Sequence, residues 1–195
     1  DYAIAKAGSL GMRVLLTLTN NWADFGGMDQ YVMWKSLLGT DGNATSRGAP
    51  KMYHDDFYTD PTIKGWYKAY AKHLVTRRNT VTGRVYADDP TIMTWELAHE
   101  PRPIFRKEDF RNWVKATAEL VKSLAPKQLV TIGSEGQHGF EVGAPSKEGW
   151  KADVTEWAEA HHDKNVDYAT VHVWPVAWGW QSGLSRKADD AVERG

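Results

Sequence analysis

Four short clusters of polar and aromatic residues stand out, each just past a run of β-branched and apolar residues. They are Asn20-Asn21-Trp22, His99-Glu100-Pro101-Arg102, Ser134-Glu135, and His172 with Trp174. Glu100 is the residue best suited to chemistry. Hydrolysis of a glycosidic bond needs one carboxyl group that donates a proton to the leaving oxygen and a second that attacks or activates water. Pro101 predicts extended backbone at Glu100 and a rigidly held carboxylate. The alternative reading is a rim ion pair of Glu100 with Arg102. Glu96 shares parity with Glu100, but four residues of extended strand separate them by roughly 13 Å. The carboxyl groups of a retaining glycosidase stand about 5–5.5 Å apart. Glu96 therefore reads as a buried, ion-paired residue.

Other titratable groups offer less. His161 and His162 are adjacent, so on a helix they diverge by about 100° and cannot share one ion. His54-Asp55-Asp56 suits a solvated acidic loop better than a cation site. No metal and no cofactor is expected. The chain of 195 residues carries 24 Lys and Arg against 25 Asp and Glu. That balance provides no field for nucleic acid or an anionic membrane. With no cysteine, disulfides and thiolate metal sites are excluded. Ten tryptophans are a surplus that aromatic sugar platforms would explain, although several sit at helical spacing and read as core.

The elements that must position these clusters alternate. Asp1 to Leu10 reads as a helix ended by Gly11, and Met12–Thr19 as a buried strand. Asn20 to about Tyr58 reads as a long loop. Asp60-Pro61 starts a second helix, with Asp as N-cap and Pro in the first turn. Its stripe is Ile63, Trp66, Tyr67, Tyr70, Ala71 and Leu74. Thr91–Leu97 is a second strand, Lys107–Leu124 a third helix, and Gln128–Ile132 a third strand. Asp153 and Glu156 resemble a capping box for a short helix ending near His162, and Tyr168–Val173 is a fourth strand. Alternating helices and strands imply a parallel sheet, either an open doubly wound sheet or a (β/α)8 barrel. No glycine-rich nucleotide fingerprint follows any strand. Clusters at the C-terminal ends of all four strands suit a barrel, where active sites are built at that end.

At this point the residues become a recognisable pattern. Trp95-Glu96-Leu97-Ala98-His99-Glu100-Pro101-Arg102 resembles the Trp-Glu-Leu-Ala-Asn-Glu-Pro-Arg signature of glycoside hydrolase family 5 β-mannanases. Asn20 to Gly27 is similar to the loop after their third barrel strand. Asp55–Asp60 and Asp88–Ile92 match their flanking segments. Gly133-Ser134-Glu135-Gly136 and His172-Val173-Trp174-Pro175 match the ends of their fifth and sixth strands. The resemblance spans nearly the whole chain, in family order.

That resemblance implies a (β/α)8 TIM barrel of which strands three to six are present, so residues 1–195 would be one partial catalytic domain truncated at both ends. It implies retaining, endo-acting hydrolysis of β-1,4-mannan or glucomannan. Glu100 would be the general acid/base and Trp22 a sugar platform. Arg102 and Glu135 would contact sugars on the leaving-group side. His172 and Trp174 would line the floor, and Trp178 would add platform area. The family nucleophile follows the seventh strand, beyond this chain, so the chain alone is expected to be inactive and to self-associate. His99 stands where the family has an Asn that donates to the sugar 2-hydroxyl. Secretion is expected from the polymeric substrate. The competing readings are an exo-acting mannanase or β-glucanase relative, and a carbohydrate-binding protein without catalysis.

Overall fold

The computed structural model describes residues 1–37, 53–136 and 154–172. Three parallel strands lie side by side in chain order: β1 (Val14–Thr17), β2 (Ile92–Glu96) and β3 (Leu129–Thr131). Leu16 pairs with Trp95 and Thr17 with Glu96; across β2, Trp95 faces Val130 and Glu96 faces Thr131. Helices intervene, as parallel pairing requires. α1 (Tyr2–Ser9) precedes β1, α4 (Pro61–Thr76) leads into β2, and α5 (Lys107–Leu124) leads into β3. α5 has the predicted bounds, with Phe110, Trp113, Val114, Ala118 and Val121 on its buried face and Glu108 and Asp109 at its positive end. Asp60 caps α4 by accepting from the backbone N–H groups of Thr62 and Ile63 at 2.8 and 3.1 Å.

The core is aromatic where the helices meet. Phe57 lies edge-on to Tyr58, Tyr67 and Trp113, with centroids 5.3–5.7 Å apart. Tyr67 carries its hydroxyl to the carbonyl of Leu97, 2.6 Å away, tying α4 to the end of β2. Of the six tryptophans among the described residues, only Trp95 and Trp113 are fully buried. Trp95 is affordable there because its indole N–H donates to Gln128, 2.6 Å away.

Two expectations are corrected. The segment from Asn20 to Tyr58 is not one loop. It contains a 3-10 turn at Asp24–Gly26, α2 (Gly27–Ser36) and the single-turn α3 (Asp56–Thr59). α2 opens on two glycines without a side-chain cap, and the apolar Met33 and Trp34 stand off the face that buries Met28 and Val32, so the apolar pattern gave no clear period. Gly27 has φ of 34°, and a Cβ there would sit 1.9 Å from the carbonyl oxygen of Trp22. Only glycine lets the chain fold back this tightly under Trp22.

Tyr168–His172 runs beside β3 without forming a strand ladder, so the fourth strand is absent among the described residues; Val173 lies outside them. Backbone bonds hold its ends, Asp167 N to Val130 O at 2.8 Å and His172 N to Glu135 O at 2.7 Å. Between them, the Asp167 carboxylate accepts from Val130 N at 2.6 Å, and the hydroxyls of Thr131 and Thr170 donate to the carbonyls of Tyr168 and Ser134. α6 (Val154–His161) forms as expected, while Asp153 of the predicted capping box lies outside the described residues.

Candidate active site

The C-terminal ends of the strands converge on Glu100. Its segment is stitched on both sides: His99 N donates to Thr19 O, Asn21 N to His99 O, and Glu100 N to Gly133 O, each at 2.9 Å. Glu100 is not extended as its proline predicted. Its φ is 53°, and it is the one non-glycine residue with positive φ among the described residues. A left-handed glutamate is strained and persists where its surroundings over-determine it. The bond to Gly133 and the donors on both carboxylate oxygens supply those constraints, against the extended preference that Pro101 sets. Gly133, with φ of 86°, is itself required: a Cβ would lie 1.9 Å from Ala98 O and 2.5 Å from the Glu96 side chain.

The turn aims the carboxylate at two donors. Trp22 Nε1 donates to Oε2 at 2.7 Å, and His172 Nδ1 lies 2.7 Å from Oε1. His99 Nε2 stands 3.9 Å from Oε1, and the His99 and His172 rings stack with centroids 5.3 Å apart. Glu100 is buried. Burial pushes its carboxyl up, but the hydrogen bonds from His172 and Trp22 and the charge of the nearby imidazoles outweigh this, and its pKa is lowered. Glu96 behaves oppositely. It is buried and its pKa is raised, chiefly by that burial, despite the hydrogen bond from Thr17 Oγ1 at 2.8 Å. As anticipated, Glu96 is interior. The extended-strand spacing between the two carboxylates does not apply, however, because one imidazole spans the gap: His99 Nδ1 is 3.9 Å from Glu96.

Arg102 does not pair with Glu100. Its Nε and terminal nitrogen bind Glu135 Oε2, and its guanidinium carbon lies 4.5 Å from the centre of the Trp22 ring. Trp22, Glu100, His99, His172, Arg102 and Glu135 are thus brought together; Trp174 and Trp178 lie outside the described residues. Trp22 is 39% exposed, so a face stays available while its N–H is engaged. Beside His99 opens a groove of about 1020 Å³ whose lining includes Asn20, Tyr31, Trp34, Trp66 and Tyr70.

Supporting residues were less visible in the sequence. Asn21 Oδ1 accepts from Arg102 N at 3.1 Å and fixes the start of the loop after Glu100. Asp55 accepts from the backbone N–H groups of Ile104, Phe105 and Arg106 at 2.6–3.1 Å. Its carboxylate organises this loop rather than sitting in a solvated one. His54 is likewise buried, with Nδ1 2.7 Å from Asp29.

The family model described as "GH family 5 beta-mannosidase-like" matches residues 1–194. Mannan endo-1,4-beta-mannosidase 8 of Oryza sativa subsp. japonica is 40% identical over 185 residues, 91% of this chain and 47% of that protein. Mannan endo-1,4-beta-mannosidase 5 of Solanum lycopersicum is 39% identical over 197 residues, 98% of this chain and 44% of that protein. Among solved structures, an endo-beta-1,4-mannanase from Thermotoga petrophila superposes with a TM-score of 0.74 at 37% identity, over 91% of this chain and 37% of that one. The endo-1,4-beta-mannanase of Rhizomucor miehei gives 0.73 at 33% identity, over 91% and 48%. The chain spans about half the length of the curated relatives it matches. The three parallel strands and their helices are an arc of the (β/α)8 barrel of these enzymes, and the chain belongs to glycoside hydrolase family 5.

Proposed function

We propose that this chain carries the acid/base half of the active site of a secreted, endo-acting β-mannan hydrolase, with Glu100 as general acid/base in a retaining double displacement. The observation that carries this reading is a buried carboxylate at a strand end, in a constrained left-handed turn, with a defined donor on each oxygen. Such a group has fixed geometry toward a leaving oxygen, which proton transfer in the transition state requires. In the resting arrangement it is held as a carboxylate. A bound saccharide that excludes water, or a second carboxylate alongside, raises its pKa and makes it an acid. No described residue is assigned as the nucleophile: Glu96 is held by Thr17 and Glu135 by Arg102. Trp22 offers a ring face to a sugar, and the Arg102–Glu135 pair offers donors and acceptors to hydroxyls beside it. Mannan or glucomannan is the substrate class that the resemblance of the Trp95–Arg102 segment supports.

The test is Glu100→Gln in an active protein that contains this chain. Activity on mannan should fall by roughly 100-fold or more, the usual span of general acid–base catalysis. The first step with an activated aryl mannoside, whose leaving group needs little protonation, should fall far less. Equal losses on both substrates would refute the acid/base role. Mannan binding with no hydrolysis in the unmutated protein would support a carbohydrate-binding module instead.

A further inference from the structure

Two imidazoles stand over one buried carboxylate at the strand ends. His172 Nδ1 is 2.7 Å and His99 Nε2 is 3.9 Å from the same oxygen, Glu100 Oε1. One ligand atom from each of the three residues can be taken so that all lie within 4.8 Å of one another. A tetrahedral cation with ligands at about 2.0–2.2 Å holds its donors roughly 3.3–3.5 Å apart. His172 would therefore move out slightly, and His99, whose side chain is 41% exposed, would rotate inward. Behind His99 lies a further carboxylate. Glu96 Oε1 is 3.9 Å from His99 Nδ1 and is itself anchored by Thr17. A proton on Nδ1, facing Glu96, leaves the lone pair of Nε2 facing Glu100. Metal-binding histidines are oriented in this way, one ring nitrogen on the ion and the other donating to a carboxylate.

We propose that His99, Glu100 and His172 form a site for a divalent transition cation of the Zn2+ type, with Glu96 orienting His99. Two imidazole nitrogens and one carboxylate oxygen suit Zn2+, Ni2+ or Cu2+, whereas Mg2+ and Ca2+ favour all-oxygen sets. On binding, the proton that His172 Nδ1 shares with Glu100 is replaced by the cation, and the ring stays neutral by carrying its proton on Nε2. A fourth position remains for water. The binding itself does not depend on Glu100 being catalytic. Its consequence does rest on the hydrolase reading: a cation on Glu100 occupies the group that would deliver the proton, and so inhibits.

The experiment titrates Zn2+ at neutral pH into chelator-cleared protein containing this chain, with a chromophoric indicator reporting free metal. One Zn2+ per chain is expected at this site, undisturbed by a thousand-fold excess of Mg2+. His99→Asn, on a half-exposed ring, should weaken binding at least ten-fold. Glu96→Gln, which retains every ligand, should weaken it by roughly ten- to 100-fold. Thermal melts check that each variant is folded, and if Glu96→Gln is not, His99→Asn decides. Unchanged affinity in His99→Asn, or no binding in the parent, overturns the site. Mannan hydrolysis is measured separately: inhibition by Zn2+ in the parent that is relieved in His99→Asn supports the proposal. Zn2+ binding in a protein without hydrolase activity would leave the site standing and remove the functional reading.

Discussion

The indole N–H of Trp22 donates to Oε2 of Glu100 across 2.7 Å, joining residues 78 positions apart. The relationship alters what Trp22 does. A sugar platform needs only a ring face, but this tryptophan also holds the Glu100 carboxylate in place and favours its charged form.

Trp22→Phe separates the two duties, because it keeps a ring and loses the N–H. The Glu100 carboxyl should then titrate at higher pH than in the parent, read from its side-chain carbon chemical shift. Activity on mannan should drop roughly ten-fold, the scale of one hydrogen bond to a charged group. A platform-only role predicts weaker substrate binding with an unmoved titration.

His99→Asn restores the residue that the Trp95–Arg102 signature has in the resembling mannanases. His99 stands 3.9 Å from Glu100 and contributes to lowering its pKa. A neutral amide removes that contribution, so the carboxyl should titrate at higher pH. The expected gain on mannan is roughly ten-fold and mainly in kcat, since a bond that improves in the transition state lowers the barrier to chemistry. Steady-state kinetics across pH 4.5 to 8 check it; a lower kcat with an unchanged profile would show that His99 is accommodated.

Asp55→Asn tests the loop after Glu100. Asp55 is buried and serves three successive backbone N–H groups of residues 104–106. An amide presents one acceptor oxygen and a misplaced donor, so about 3 kcal/mol of stability should be lost. The adjacent exposed Asp56, changed to Ala, should stay within about 0.5 kcal/mol. Urea melts of the two variants provide the comparison.

Asp60→Ala removes the cap of α4 and should cost about 1 kcal/mol near neutral pH. Burial alone would raise the Asp60 carboxyl, but the N–H groups of Ile63 and Thr62 and the Lys35 ammonium lower it. A depressed carboxylate stabilises the fold at every pH above its unfolded value and loses that contribution as pH falls through the folded one. The gap in melting temperature between parent and variant should therefore be constant from pH 7 to about 5. Below about 4, the ordinary aspartate value, it should shrink.

Alternation, capping and the strand-end clusters were legible in the sequence because each is local. The helix placed roughly at Lys107–Leu124 has those bounds, since stripe, charge placement and the following Pro126 agree. What escaped was set by distant partners. Nothing near Asp55 announces the backbone of residues 104–106, and nothing near Trp22 announces Glu100. α2 escaped because Gly26-Gly27 reads as a breaker until the carbonyl of Trp22 is seen pressed against Gly27. Where the predicted fourth strand would pair, the Asp167 carboxylate takes the Val130 N–H and threonine hydroxyls donate to the carbonyls of Tyr168 and Ser134. Glu100 was singled out from its neighbours, but the proline rule gave the wrong backbone: Glu100 N pairs with Gly133 and both carboxylate oxygens are held, against that preference.

The left-handed turn at Glu100 also divides labour between neighbours. Its carboxylate is placed by main-chain bonds and by donors from two other segments, none of which involves the side chain at position 99. Those hydrogen bonds therefore do not need the imidazole at position 99. An amide in place of that imidazole would remove the ring stacked on His172 and the charge beside Glu100 while leaving those bonds in place.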